Sequence, residues 1–323
     1  MSHALQQVDA LGAWRRAVEC RLAALLAGGP APAGGVTAAM QAAVLTPGKR
    51  LRPLLVLATG RALDAREPGL LDLACAVEMV HCASLVLDDM PAMDDARLRR
   101  GEPAVHLRFG EDVAMLAAVA LVSEACRVAA AAPALRAPAR ARAVQVLCEA
   151  IGPMGLVHGQ YRDLREGAGA RSAAAMAEAN DQKTGVLFAA AMEMAACAAG
   201  RTAAVPALRR AALAIGQAFQ LRDDLEDLLP DAAAREDTLQ DAGKSTVVQL
   251  LGVAAVRRSI DAQLAQARQS LRAALGRDDA QLLALLRRAF PETSSAAAHP
   301  ARLDDPRFAG WRPAGEATLS VPT

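Results

Sequence analysis

Apolar residues run almost without relief through the middle of this chain. Over Leu71–Leu87, Asp112–Ala132, Lys183–Ala199 and Val205–Leu221 they fill most sides of a helical turn instead of one stripe. That density predicts helices packed inside a large bundle. From about Val8 to Arg288 one helical stretch follows another, parted by short breaks. These fall at Gly28–Gly35, Thr46-Pro47-Gly48, Glu67-Pro68-Gly69, Gly101-Glu102-Pro103, Pro133–Pro138, Gly152-Pro153, Gly167–Gly169 and Pro230–Asp237. No sustained period-two run appears, so no sheet is expected. No shift of composition marks a boundary, so residues 1–292 read as one domain. From Thr293 the chain turns to Ser, Ala, Gly and Pro, and 293–323 reads as a disordered, low-complexity tail whose Asp304-Asp305 pair has no helix to sit on.

Composition agrees. Of 323 residues 53% are hydrophobic but only 2% aromatic, with alanine and leucine dominant; strands favour β-branched and aromatic residues instead. The net charge of +1 gives no general attraction to nucleic acid or to an anionic membrane. Asp9, Arg15, Arg16 and Glu19 interrupt any leader-like apolar region, and runs such as Val113–Val122 fall short of the roughly 20 residues a spanning helix needs. The six cysteines (Cys20, Cys75, Cys82, Cys126, Cys148, Cys197) lack metal-type pairing and read as buried, reduced thiols of a cytoplasmic protein.

What changes the picture is where the acid sits. Asp88-Asp89-Met90-Pro91-Ala92-Met93-Asp94-Asp95 and Asp223-Asp224-Leu225-Glu226-Asp227 each follow a long apolar helix. Like charges at helical neighbour spacing repel, and solvated acidic faces seldom follow such stretches without interspersed lysines. Oxygen ligands of this kind suit Mg²⁺, which takes one or two carboxylates and completes its shell with water and substrate phosphates. Asp223 and Asp227 are four apart and share a helical face. Pro91 stops the first helix, so Asp94 must return on a bend. Arg99-Arg100, and Lys49, Arg50 and Arg52, offer cations suited to phosphate oxygens. His81 lies two turns before Asp88 on the same face; on an apolar helix it reads equally as a core histidine bonded to a carbonyl.

Together with Gly48-Lys49-Arg50-Leu51-Arg52-Pro53, Gly159-Gln160-Tyr161-Arg162-Asp163, Lys183-Thr184-Gly185 and Asp241-Ala242-Gly243-Lys244-Ser245-Thr246, these clusters closely resemble the trans-isoprenyl diphosphate synthases, and among them the bacterial geranylgeranyl diphosphate synthases of carotenoid pathways. The resemblance spans roughly Leu45 to Leu251. It implies an all-α, single-domain bundle with a deep central cavity, the isoprenoid synthase fold, and a homodimer. The implied reaction is Mg²⁺-dependent 1'-4 condensation of isopentenyl diphosphate with an allylic diphosphate (dimethylallyl, geranyl or farnesyl). Three Mg²⁺ ions, with Mn²⁺ as a substitute, would sit on Asp88, Asp89, Asp94, Asp223, Asp224 and Asp227. By the same resemblance Lys49, Arg52, His81 and Arg100 hold isopentenyl diphosphate. Arg99, Lys183 and Lys244 hold the allylic diphosphate, with Thr184 and Gln220 also facing substrate and Phe219 facing the developing cation.

Ala83 and Ser84 stand where shorter-chain relatives often carry an aromatic ring. They favour a C20 product over C15, although Ala83 could equally serve close helix packing. The first motif ends Asp94-Asp95-Ala96-Arg97, where many relatives continue with aspartates. A class I terpene cyclase is disfavoured by the all-acidic second motif and by the scarcity of aromatics. A non-catalytic synthase subunit is disfavoured by the two intact motifs.

Overall fold

Helix follows helix, as the apolar pattern predicts. The structure, a computed structural model, describes residues 3–27, 35–65, 67–166, 173–226, 248 and 251–291. In order come α1 (His3–Leu26), α2 (Gly35–Leu45), α3 (Leu51–Ala62), α4 (Glu67–Asp88), a hairpin of β1 (Leu98–Arg99) and β2 (Glu102–Pro103), α5 (Val105–Phe109), α6 (Glu111–Ala131), α7 (Ala137–Ile151), α8 (Leu156–Glu166) and α9 (Ala173–Asn180). A π-helical turn, Asp181–Gly185, then leads into α10 (Val186–Ala198). After it come a 3₁₀ turn (Thr202–Ala204), α11 (Val205–Glu226), α12 (Val253–Leu275) and α13 (Ala280–Ala289).

The centre is α10, where every residue from Leu187 to Cys197 is buried. It packs against α3, α4, α7 and α11, which is why its sequence is apolar on all sides. Its one charge, Glu193, is buried and held by Arg142 of α7 and Arg209 of α11, each at 2.7 Å. On one side of α10 lies a core built from α1, α2, α4, α6 and α7; on the other, one built from α3, α11, α12 and α13. Gly216 of α11 lets the second side close: a Cβ there would come within 2.9 Å of the Gly185 Cα. Asp279 caps α13, accepting from the backbone N–H of Gln281 and Leu282.

Two expectations need correction. Cys75, Cys82 and Cys197 are buried, but Cys20 and Cys148 are exposed and Cys126 is half-buried. In helices this rich in alanine the apolar pattern does not reveal which face a cysteine occupies. By length and composition, Pro68–Asp88 and Glu111–Ala131 could each cross a membrane, contrary to the reading of short apolar runs. The first is 72% buried inside the protein, as a core helix of a bundle is, and the second 39%. The outer face of α6 does leave Met115, Leu116 and Val119 exposed. The expected tail, 293–323, lies outside the described residues.

Candidate active site

The first aspartate cluster is built by a broken helix. α4 ends at Asp88, and the chain folds back: the N–H of Asp94 donates to the carbonyl of Asp88 at 3.0 Å, that of Asp95 to Met90 at 3.0 Å, and that of Ala96 to Asp89 at 3.1 Å. Asp94 thereby returns beside Asp88 on the bend that Pro91 predicts. Burial pushes the Asp88 carboxyl up to about 6; Lys183 opposes the shift and Asp94 adds to it. Asp89 is treated differently. It is buried, and Arg99 grips it through Nε at 2.9 Å and through Nη2. Burial raises its carboxyl despite the guanidinium.

The hairpin explains how adjacent arginines serve different partners. Its register pairs Arg99 with Glu102, leaving Arg100-Gly101 as a two-residue loop with φ of 56° and 80°; positive φ at both positions is what such a tight hairpin needs. Arg99, in the strand, turns to Asp89. Arg100, in the loop, reaches the Thr46 carbonyl at 3.4 Å and lies against Gly48, where a Cβ would come 2.7 Å from its Nη1.

Between the clusters sits the π turn. π turns inside helices are frequent at functional sites because they re-aim side chains. Here Lys183 donates to Asp163 of α8 at 2.8 Å. Burial alone would lower the Lys183 ammonium, but Asp88 and Asp163 outweigh it and hold it above its ordinary value. The next residue, Thr184, donates to Gln220 Oε1 at 3.3 Å, and Gln220 Nε2 donates to Asp224 Oδ1 at 3.0 Å. One turn thus faces both clusters. α8 reaches it only because residue 159 is glycine: a Cβ there would lie 2.3 Å from the Lys183 backbone nitrogen.

The second cluster lies on an unbroken helix. Asp223 is 4.0 Å from the Lys49 ammonium, which also approaches Glu226 at 3.4 Å and the Phe219 ring at 5.6 Å. Burial raises the Asp223 carboxyl, with Arg222 opposing. Phe219 packs at 5.8 Å on Phe188, and the Arg52 guanidinium lies over the Phe188 ring at 4.5 Å.

Arg52 leads to the basic station. Its Nη1 donates to His81 Nε2 at 3.3 Å. A guanidinium cannot accept, so the His81 proton sits on Nδ1. Burial, then Arg52 and Arg100, push His81 well below the usual histidine range, leaving a neutral imidazole. Burial also lowers Arg52 to about 10, still charged at neutral pH. Arg50 plays another part: fully buried, it pairs with Glu78 at 2.6 Å and donates to the carbonyls of Val44 and Thr46.

Of the expected site residues, Asp88, Asp94, Asp223, Asp224, Lys183, Thr184, Gln220, Phe219 and Lys49 come together around the π turn and the end of α11. Arg52, His81 and Arg100 form the neighbouring cationic group. Asp227 and Lys244 lie outside the described residues. Ala83 is buried within the apolar core, and the Ser84 hydroxyl donates back to the His81 carbonyl at 2.8 Å. Sequence reasoning gave no task to Asp163 or Gly159, although their motif was in view; what they do depends on a contact between α8 and the π turn that no local pattern displays.

The donor set suits Mg²⁺. Its side-chain donors are carboxylate oxygens, and burial raising Asp88 and Asp223 shows charge held at a cost that a cation would relieve. Among the described residues no three ligating side chains already form a cage, as expected for an ion that completes its shell with water and substrate phosphates.

Residues 35–285 match the family model described as polyprenyl synthetase. The chain belongs to the polyprenyl synthetase family. It is a prenyltransferase of the all-α isoprenoid synthase fold. It is 53% identical to the geranylgeranyl diphosphate synthase of Pantoea ananas over 242 residues, 74% of this chain and 80% of that protein. To the farnesyl diphosphate synthase of Escherichia coli (strain K12) it is 39% identical over 244 residues, 73% and 82% of the two chains. The solved structure of a Helicobacter pylori geranyltransferase, complexed with magnesium and isoprenyl diphosphate, superposes with a TM-score of 0.73 at 25% identity, covering 87% of this chain and 97% of that one.

Proposed function

We propose that this prenyltransferase condenses isopentenyl diphosphate with an allylic diphosphate, head to tail, and releases geranylgeranyl diphosphate. One observation carries the reading: two anion stations of opposite construction flank one aromatic pair. The carboxylate station (Asp88, Asp94, Asp223, Asp224, with Lys183 and Lys49) can take a diphosphate only with metal. The station of Arg52, His81 and Arg100 is cationic already. Two diphosphates, one metal-bound and one not, are what this condensation requires.

Asp88, Asp94, Asp223 and Asp224 would hold magnesium, three ions by family likeness, which supplies charge neutralisation for the leaving diphosphate. Lys183, kept protonated by Asp163 and Asp88, adds a fixed cation at the same place. Arg52 and Arg100 orient isopentenyl diphosphate. Phe219 presents a ring face where positive charge develops once the allylic C–O bond breaks. The isopentenyl double bond attacks that carbon, and the proton then lost goes to the departing diphosphate, so no side-chain base is assigned. The apolar helices exclude water that would quench the cation.

The C20 product rests on the small residue at Ala83 and on the greater likeness to the Pantoea ananas enzyme than to the Escherichia coli one. The exposed face of Met115, Leu116 and Val119 on α6 is the surface we assign to a homodimer. The site of action is cytoplasmic. Incubation of the purified protein with isopentenyl diphosphate, each allylic starter and Mg²⁺, followed by sizing of the dephosphorylated products, tests the reading. C20 alcohol is expected; dominant C15 would overturn the product, and no condensation would overturn the reaction.

A further inference from the structure

Arg222 stands immediately before Asp223 and has no task in the proposed reaction. Side chains at successive helix positions do not ordinarily face each other, yet its Nη2 donates to Asp223 Oδ1 at 2.8 Å. The reason lies elsewhere in the chain. The guanidinium is held between two rings, with its Cζ 4.6 Å from the Phe219 centroid and 5.5 Å from that of Phe290. Nη1 donates to the Ala289 carbonyl, and Nε lies 3.1 Å from Glu226 Oε1. Ala289 and Phe290 form the end of α13. That helix is fixed independently by its Asp279 cap and by Leu282, Leu285 and Leu286 in the core.

We propose that Arg222 is a positioning residue through which α13 sets the orientation of Asp223 for a divalent cation. An exposed ion pair of this kind would do little. This one is 13% exposed on the arginine side and 35% on the aspartate side, and the arginine's planar fork is clamped before any ligand arrives. Asp223 Oδ1 is thereby held at 2.8 Å by a fixed donor, with the Lys49 ammonium at 4.0 Å, and both contacts can be shared as metal binds. Partners of this sort around a ligating carboxylate are worth about 10-fold or more in metal affinity. α13, distant in sequence from both aspartate motifs, thereby becomes part of the metal site. The inference rests on the magnesium reading above.

The test uses Arg222→Leu, Arg222→Lys and Phe290→Leu in the full chain. Thermal shift is followed against Mg²⁺ in the presence of inorganic pyrophosphate, with kcat and KM for both substrates alongside. Arg222→Leu should raise the half-saturating Mg²⁺ about 10-fold. Arg222→Lys keeps charge but loses the stacked plane, and should rescue only part of that. Phe290→Leu should move Mg²⁺ dependence the same way by a smaller factor, and KM for isopentenyl diphosphate should stay within about twofold in all three. A lower Tm with unchanged Mg²⁺ half-saturation in Arg222→Leu would reduce Arg222 to a structural residue and overturn the proposal. If Arg222→Leu does not fold, unchanged Mg²⁺ dependence in both other variants overturns it equally. No magnesium-dependent shift in the wild type would instead overturn the magnesium reading itself.

Discussion

The two aspartate clusters use the same residue in opposite mechanical settings. The first sits on a helix that stops at Asp88 and a loop that folds back to bring Asp94 alongside. Its inner carboxylate, Asp89, is locked onto Arg99, while Asp88 is half-buried beside Asp94, with Lys183 and then Arg99 opposing the upward shift. The second sits on an unbroken helix, where Asp223 is contacted by Arg222 and Lys49 and Asp224 is bonded by Gln220. Burial raises a carboxyl in each cluster, Asp88 to about 6 in the first and Asp223 in the second. The second has much of its charge shared out. The difference teaches that similar acidic motifs need not be built alike: both hold charge at a cost a cation would relieve, but the first gathers its carboxylates on a bend and the second keeps them aimed from a helix by neighbouring side chains.

The largest test of that contrast removes one ligand from each cluster. Asp88→Asn and Asp223→Asn should each lower kcat by about 10³-fold with Mg²⁺ at saturation. Near-normal turnover in either would remove that cluster from the metal site. The next tests the element between the clusters. Gly159→Ala forces a methyl onto the Lys183 backbone and displaces the π turn; misplacements of that size cost about 10²-fold. Since Lys183 and Thr184 move together, kcat/KM for the allylic substrate should fall while KM for isopentenyl diphosphate holds. Equal losses for both substrates would mean the turn does not separate the stations.

Smaller in rate but informative in kind is Ala83→Phe, five residues and so between one and two helical turns before Asp88 on α4. If Ala83 faces the growing chain, the product shifts from C20 toward C15, read by product sizing. If it only allows close packing, the substitution overfills the core and lowers stability by about 1–3 kcal/mol with the product unchanged.

The smallest effect is thermodynamic. Because burial raises the Asp88 carboxyl from 3.8 to about 6 in the folded state, the folded protein binds that proton more tightly than the unfolded chain. The ionised group therefore costs nothing below pH 4, and its cost grows as pH climbs to 6 and stays constant above. Metal-free Asp88→Asn should melt higher than the wild type at pH 7.5, by ~2 °C, and the gap should close toward pH 4. Asp223→Asn should gain less, since removing that carboxylate also takes one anionic partner from Arg222 and one from Lys49. A larger gain for Asp223→Asn would reverse the contrast between the clusters.

Much of this is legible in the chain alone. Both clusters, their order and the bend after Asp88 follow from aspartate spacing and one proline. Others were visible but unreadable. The Gly159–Asp163 motif could be seen, yet Asp163 acquires a task only when α8 lies against the π turn. Arg50 and Arg52 look alike in the chain; one is buried on Glu78 and the other stacks on Phe188 beside His81. Helical periodicity cannot tell them apart, because Arg50 adopts a left-handed conformation (φ 50°) before the helix starts.

By itself the sequence determined which residues carry charge, which stretches are helical and which chemistry the acid clusters suit, because those properties are local to a few turns of chain. Only the tertiary structure decided which cation meets which carboxylate: Arg99 on Asp89, Lys183 toward Asp88, Lys49 and Arg222 on Asp223. Those pairings depend on where α8, α11 and α13 cross, and crossings are set by the packing of whole helix faces around α10. A single glycine or a ring at such a crossing outweighs anything the neighbouring residues prefer.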